Sequence, residues 1–232
     1  MNIKIIAFDA DDTLWINEPY FQETEKKFCA LLEDYMPHHS LSKELFKTEI
    51  ENLSLYGYGI KGFTLSMIET ALRVSNKTID VAVIERAMEY GKELLARPVE
   101  ILEGVEDTLQ SLSGRYKLVV ATKGDLLDQE RKLKKSGLIH YFHHTEIMSD
   151  KQEADYIKLI KHLDIQPAEF LMIGNSIKSD VLPVLAIGGH AVHVPYHTTW
   201  AHEQVSHQVE HANFKQVQKI TEILTYLLPG KC

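Results

Sequence analysis

Apolar and polar positions alternate with two different periods along this chain. Residues 3–8, Ile-Lys-Ile-Ile-Ala-Phe, form a β-branched and aromatic run that stops on an acid. That pattern predicts a buried parallel strand whose carboxyl end delivers Asp9 to a crevice. From about residue 20 to 97 the periodicity is helical only, with helices expected over 21–35, 41–55, 63–74 and 81–96. A glycine-rich loop, residues 56–62, separates the second from the third, and Pro37 and Pro98 mark breaks. Thr78 with Asp80 offers a helix start.

Beyond Pro98 the pattern changes to alternation. Helices are expected over 105–112, 126–135, 153–162, 177–187 and 215–227, and strands over 116–121, 145–148, 170–173 and 191–194. Strands that alternate with helices argue for an α/β protein with a Rossmann-like, doubly wound parallel sheet. The helical block reads as an all-α domain inserted after the first strand. The expected boundaries are 1–16 and 97–232 for the sheet domain and 17–96 for the insertion.

Composition narrows the class. The chain has 232 residues, 44% hydrophobic and 25% charged, with a formal charge of −8. That balance disfavours nucleic acid or an anionic membrane as partner, since both need clustered Lys and Arg. Cys29 and Cys232 form neither a disulfide framework nor a metal spacing and fit a reducing compartment. The amino terminus enters the first strand directly, and no apolar run reaches the ~18 residues that span a bilayer. A soluble cytoplasmic protein, monomer or homodimer, is expected.

The chemistry gathers where strands end. Asp9, Asp11 and Asp12 crowd three carboxylates into four residues. Two unit charges about 4 Å apart repel by roughly 1 kcal/mol in water and about 4 kcal/mol at an effective dielectric near 20. The cluster implies a cation, and oxygen-only ligands favour Mg²⁺ over zinc. Acids after a strand are also ordinary turn formers, because Asp bonds its own backbone. Strand 116–121 runs into Thr122, Lys123, Gly124 and Asp125, which set a hydroxyl and backbone amides at a helix entrance. Such an end binds phosphate oxygens or simply caps the helix. Strand 170–173 is followed by Gly174, Asn175 and, after four more residues, Asp180.

Taken in order, these segments resemble the haloacid dehalogenase superfamily. Asp9, Asp11, Thr13 and Leu14 match its first motif, Asp-x-Asp-x-Thr-Leu, and Thr122 matches the Thr or Ser of its second. Lys151, which opens a helix, is the choice for the lone lysine of the third, with Lys158 as fallback; Gln152 stands where many members have proline. Gly174 and Asp180 match the fourth, in which Asn175 replaces the usual acid. The resemblance spans Asp9 to Asp180 and makes the helical insertion a cap, a lid over the crevice.

It implies a Mg²⁺-dependent phosphomonoester hydrolase working through an aspartyl phosphate. Asp9 would be the nucleophile, and Asp11 would protonate the leaving oxygen and then activate water, provided its surroundings keep it protonated at first. Mg²⁺ would be held by the Asp9 carboxylate, the Asp11 carbonyl, and Asn175 or Asp180. Thr122 and Lys151 would bind the phosphoryl oxygens, with Lys123 beside them. Members that displace halide from carbon keep the first aspartate but do not use an acid two residues later, so Asp11 points to phosphoryl transfer.

For the substrate, a small phosphorylated metabolite, the 56–63 loop supplies aromatics and one cation. Tyr58 and Lys61 are the candidates there, reading a nucleotide base or a sugar, although a plain turn between helices explains the loop equally well. Three rivals stand beside the hydrolase: a phosphomutase of the same family, a silent binding protein, and a receiver-type signalling domain, whose length and order of acids differ. His202-Glu203 lacks the second histidine of a zinc protease helix, since His207 lies five residues on, and His207 with His211 reads as a solvated face. His197 lies beyond the last predicted core strand with no assigned role.

Overall fold

The computed structural model describes residues 2–228, so Cys232 lies outside the described residues. Six strands form one sheet: β1 (Ile5–Phe8), β2 (Lys117–Lys123), β3 (His144–Met148), β4 (Phe170–Gly174), β5 (His190–His193) and β6 (Phe214–Gln216). Their order is β3-β2-β1-β4-β5-β6 and every pairing is parallel. This is a doubly wound α/β sheet. β1 lies between β2 and β4, where the strand order reverses direction, the place at which such sheets open a crevice beyond their carboxyl ends.

Alternation along each strand divides the side chains between two apolar layers. Ile6, Phe8, Leu118, Val120, Leu171 and Ile173 pack with Val105, Leu109 and Leu112 of α5 (Val105–Leu112), together with Leu133, Ile223 and Leu227. Ile5, Ala7, Val119, Ala121, Phe170 and Met172 face Tyr156, Leu159 and Ile160 of α7 (Glu153–His162). Leu133 belongs to α6 (Leu126–Lys135), Val184 of the second layer to α8 (Leu182–Ala186), and the last two residues of the first to α9 (Ile223–Leu227).

Packing separates the described chain into two compact units. One comprises 2–18, 99–123 and 129–228; the other comprises 19–98 and 124–128. The second unit contains α1 (Glu18–Leu31) from residue 19 on, α2 (His38–Tyr56), α3 (Ile60–Val74) and α4 (Val81–Ala96). Phe28, Leu41, Leu45, Met67 and Ala71 form its core, with the free thiol of Cys29 buried among them. Asp80 caps α4 through the amide of Ala82 at 2.8 Å.

Three elements differ from the sequence expectation. The glycine loop is shorter, because α3 already begins at Ile60 behind Gly59, whose φ of +109° suits glycine alone. Residues 177–187 are not one helix: a single π-helical turn, Ile177–Val181, precedes α8. The expected helix over 215–227 is instead β6, a 3-10 turn at Ile220–Glu222 and α9, since the 214–216 segment pairs with β5 at the sheet edge.

Ile6 is wholly buried in the central strand, whereas Leu55 is 73% exposed. Ile6→Ala is expected to cost about 2–5 kcal/mol and Leu55→Ala less than about 0.5 kcal/mol in urea unfolding. Equal losses would contradict this core.

Candidate active site

The turn after β1 builds the centre. The Asp9 amide donates to the Ile173 carbonyl at 2.9 Å, and the amides of Thr13 and Leu14 close back on the Ala10 carbonyl at 3.2 and 2.8 Å. Asp12 adopts a left-handed φ of 61° and turns its carboxyl to the amides of Asn17 and Glu18. It therefore shapes the loop rather than entering the crevice.

Lys151 lies at the heart of the cluster, 2% exposed. Its ammonium donates to Asp9 Oδ1 at 2.5 Å and to Asp180 Oδ1 at 2.7 Å. Asp180 Oδ2 accepts the Ser176 amide at 2.9 Å, and the carboxylate packs so tightly on Gly174 that a Cβ there would meet it at 2.2 Å. The glycine at the end of β4 is thus needed for close approach. Lys158, the fallback lysine, is 78% exposed and pairs with Asp155.

Burial pushes the Asp9 carboxyl up, to about 7, against Lys151, with Asp180 and Asp11 adding to the rise. Burial also works against the charge of Lys151, but Asp180 and Asp9 outweigh it and hold the ammonium above the usual lysine range. These tendencies oppose each other, and the contacts decide between them. An ammonium at hydrogen-bond distance from both carboxyls is matched by two ionised groups. The trio then carries one positive charge against two negative, and the rise at Asp9 reflects its burial first and the neighbouring carboxylates second.

Asn175 joins the same cluster. Its side-chain amide faces Asp9 Oδ2 at 3.2 Å, Thr13 Oγ1 at 3.2 Å and the Asp11 carbonyl at 3.3 Å, so the nitrogen end belongs there as donor. Thr13 Oγ1 in turn donates to Asp9 Oδ2 at 3.2 Å. With the amide rotated, the Asn175 oxygen would join Asp9 and the Asp11 carbonyl as an oxygen cluster that suits a cation. Among the described residues no three His, Cys, Asp or Glu side chains form a metal cage. This mixed carboxylate, carbonyl and amide set nevertheless fits Mg²⁺, which commonly takes only one or two carboxylates and completes its shell from water and substrate.

Asp11 points elsewhere. Its carboxylate accepts from Trp15 Nε1 at 2.7 Å, Gln129 Nε2 at 2.9 Å and Lys132 Nζ at 2.6 Å. All three neighbours are donors to it. Gln129 Nε2 also reaches Thr122 Oγ1 at 3.0 Å, which joins the first strand end to the second. Gln129 and Lys132 were not among the expected residues. They lie three apart on α6, a spacing that in sequence is indistinguishable from a solvated helical face.

Lys123, the last residue of β2, donates to Ser179 Oγ at 2.9 Å and Glu203 at 2.6 Å. Burial opposes the charge of Glu203, but Lys123 and the hydroxyls of Ser176 and Ser179 outweigh it and hold its carboxyl down at about 2. Asp9, Asp11, Thr122, Lys151, Asn175 and Asp180 are therefore linked by direct or single-residue contacts. Tyr58 and Lys61 belong to the helical unit, where Lys61 pairs with Asp125 at 2.9 Å.

With this geometry in hand, comparison with known proteins is informative. The chain belongs to the haloacid dehalogenase-like hydrolase family, whose model matches residues 3–188. It is 36% identical to a haloacid dehalogenase-like family hydrolase from Xanthomonas campestris, covering 97% of this chain and 91% of that one with a TM-score of 0.88. It is 24% identical over 186 residues to the glyceraldehyde 3-phosphate phosphatase of Methanopyrus kandleri, covering 77% of this chain and 78% of the relative. L-2-haloacid dehalogenase from Xanthobacter autotrophicus shares the fold at 13% identity, TM-score 0.64, over 99% of this chain and 100% of that one. The protein is a hydrolase of this family. Because the fold serves more than one reaction, the reaction must be argued from the site.

Asp12 gives the site a pH signature. Burial raises its carboxyl from 3.8 to about 7, despite the amides of Asn17 and Glu18. A folded-state value above the unfolded one contributes stability that is complete below about pH 4 and is lost as pH rises through about 7. Asp12→Asn keeps an acceptor oxygen and is expected to remove up to about 1.4 kcal/mol per pH unit from the slope of unfolding free energy across that window. Identical slopes in urea titrations from pH 4 to 7 would contradict it.

Proposed function

We propose that this hydrolase is a Mg²⁺-dependent phosphomonoesterase acting on a small phosphorylated metabolite, a sugar or nucleotide phosphate, through an aspartyl phosphate on Asp9. The observation that carries the reading is the buried contact of Lys151 with both Asp9 and Asp180. It holds the Asp9 carboxylate in place and supplies positive charge where phosphoryl oxygens would arrive.

Asp9 would attack phosphorus, forming its carboxylate–phosphorus bond as the ester oxygen departs. The departing oxygen then takes a proton. Water afterwards attacks the aspartyl phosphate, releases phosphate and restores the Asp9 carboxylate. Thr122 and Lys151 would orient the phosphoryl oxygens. Asp11, two residues beyond the nucleophile, would carry the proton transfers after leaving its contact with Lys132. That acid also favours phosphoryl transfer over halide displacement. The Asp9 carboxylate, Asp11 carbonyl and Asn175 amide oxygen would hold Mg²⁺, with Asp180 steadying Lys151. When bound, the ion supplies the missing positive charge.

The phosphatase relative favours a small sugar phosphate. The helical unit would act as the cap, with Tyr58 just before α3 and Lys61 in its first turn as the residues that would select the leaving group.

Steady-state release of phosphate from a panel of phosphomonoesters tests the assignment. Activity is expected with Mg²⁺ and not with EDTA, and Asp9→Asn is expected to lower kcat by at least about 10³-fold, the scale on which loss of a nucleophile is felt. Undiminished turnover in Asp9→Asn protein would overturn it. Asn175→Asp adds a charge to the metal-holding set and is expected to tighten Mg²⁺ about tenfold in calorimetry. Unchanged or weaker binding would remove Asn175 from that set.

A further inference from the structure

The stretch between β5 and β6 contains one short 3-10 turn, Ala201–Glu203, and is otherwise irregular, with Ala201, Gln204 and residues 206–208 exposed. From it the Glu203 carboxylate reaches inward. It accepts from Lys123 Nζ at 2.6 Å through Oε1, and from Ser176 Oγ at 2.5 Å and Ser179 Oγ at 2.6 Å through Oε2. One ammonium and two hydroxyls converging on two oxygens are the donor set of an oxyanion site.

The donors sit on regular elements and their occupant comes from an irregular stretch. Lys123 ends β2, while buried Ser176 caps the π-helical turn and buried Ser179 lies within it. Within that turn Ser179 donates its amide to Ser176 Oγ at 3.0 Å, and the Ser179 carbonyl accepts Tyr156 Oη at 2.9 Å. Glu203 sits on a three-residue 3-10 turn, in which His202 also accepts from Lys178 Nζ through its carbonyl at 2.9 Å.

Each donor is also the chain neighbour of an active-site residue: Lys123 follows Thr122, Ser176 follows Asn175, and Ser179 precedes Asp180. The seat is therefore built from the same strand end and turn that carry Thr122, Asn175 and Asp180. Glu203 places a negative charge on Lys123 at 2.6 Å, so an occupant that replaces it is favoured when it brings its own negative charge.

We propose that Lys123, Ser176 and Ser179 form a second oxyanion seat, which Glu203 fills as a tethered stand-in and yields to an oxyanion ligand. That ligand is either a second acidic group on the phosphorylated substrate or free phosphate. The substrate arm rests on the phosphatase reading; the seat itself does not.

The seat is tested without turnover by chemical rescue. In Glu203→Ala, acetate and inorganic phosphate are titrated while Tm is followed. A saturable rise is expected with acetate, absent in wild type and lost when Lys123→Met is added. No rise, or the same rise in all three proteins, would overturn the seat. A matched rise with phosphate identifies the free ion as a competent occupant.

The substrate arm compares phosphoglycolate with ethyl phosphate, which lacks the carboxylate. Removing the tethered competitor is expected to lower the KM ratio of phosphoglycolate to ethyl phosphate about tenfold, the worth of one charge-assisted contact. An unchanged ratio would overturn displacement by a substrate acid, while acetate rescue would still stand. Glu203→Gln, which retains shape and an acceptor, carries the same comparison if the alanine variant does not fold, with a shift in the same direction expected.

Discussion

A single buried ammonium organises this catalytic unit. Lys151 has almost no solvent and two carboxylate partners, Asp9 from the end of β1 and Asp180 from the turn beyond β4. Taking such charges out of water costs several kcal/mol each unless they satisfy one another. The ends of β1 and β4, and the loop before α7, must therefore arrive at one point with their charges matched. Gly174 and the π-helical turn follow from the same demand, because the Asp180 carboxylate has to press against backbone to reach Lys151.

The parallel sheet provides the placement. With β1 central and buried on both faces, alternate side chains go to two apolar layers, and the strand ends are left to carry polar groups. Thr122, Lys123, Asn175 and Asp9 all stand at such ends or one residue beyond them. Around the trio the polar network extends outward in two directions. Gln129 and Lys132 tie Asp11 to the second strand end, while Ser176, Ser179 and Glu203 occupy Lys123. The trio remains one positive charge short, and a divalent cation at the Asp9–Asn175 edge would make up the difference.

Much of this was legible in the residues. Strong periodicity located α4, α5, α6 and α7, and the run of apolar residues ending on Asp9 marked β1, because burial on two faces leaves no polar position. β6 was not legible, since three residues with a single apolar side chain, Phe214, make no strand pattern until they pair with β5. The break in 177–187 was hidden for a related reason: the helical pattern is intact, and a tertiary contact of Asp180 reshapes its first turn. The strand-end residues of the site could be picked out by order and spacing. Gln129 and Lys132 could not, because inward and solvated polar helix positions read alike until the neighbouring strand is known. Glu203 stood in a histidine-rich stretch whose spacing gave no sign of a partner in β2.

The proposed function turns on one chemical event, transfer of a phosphoryl group to Asp9. Acid-quenching the enzyme during turnover of a phosphomonoester and mapping its peptides by mass spectrometry reads that event directly. The account predicts one phosphoryl group on the peptide containing Asp9, attached to that side chain and absent from Asp9→Asn protein. A phosphoryl group found on any other residue, or sustained turnover with none trapped at any quench time, would contradict it.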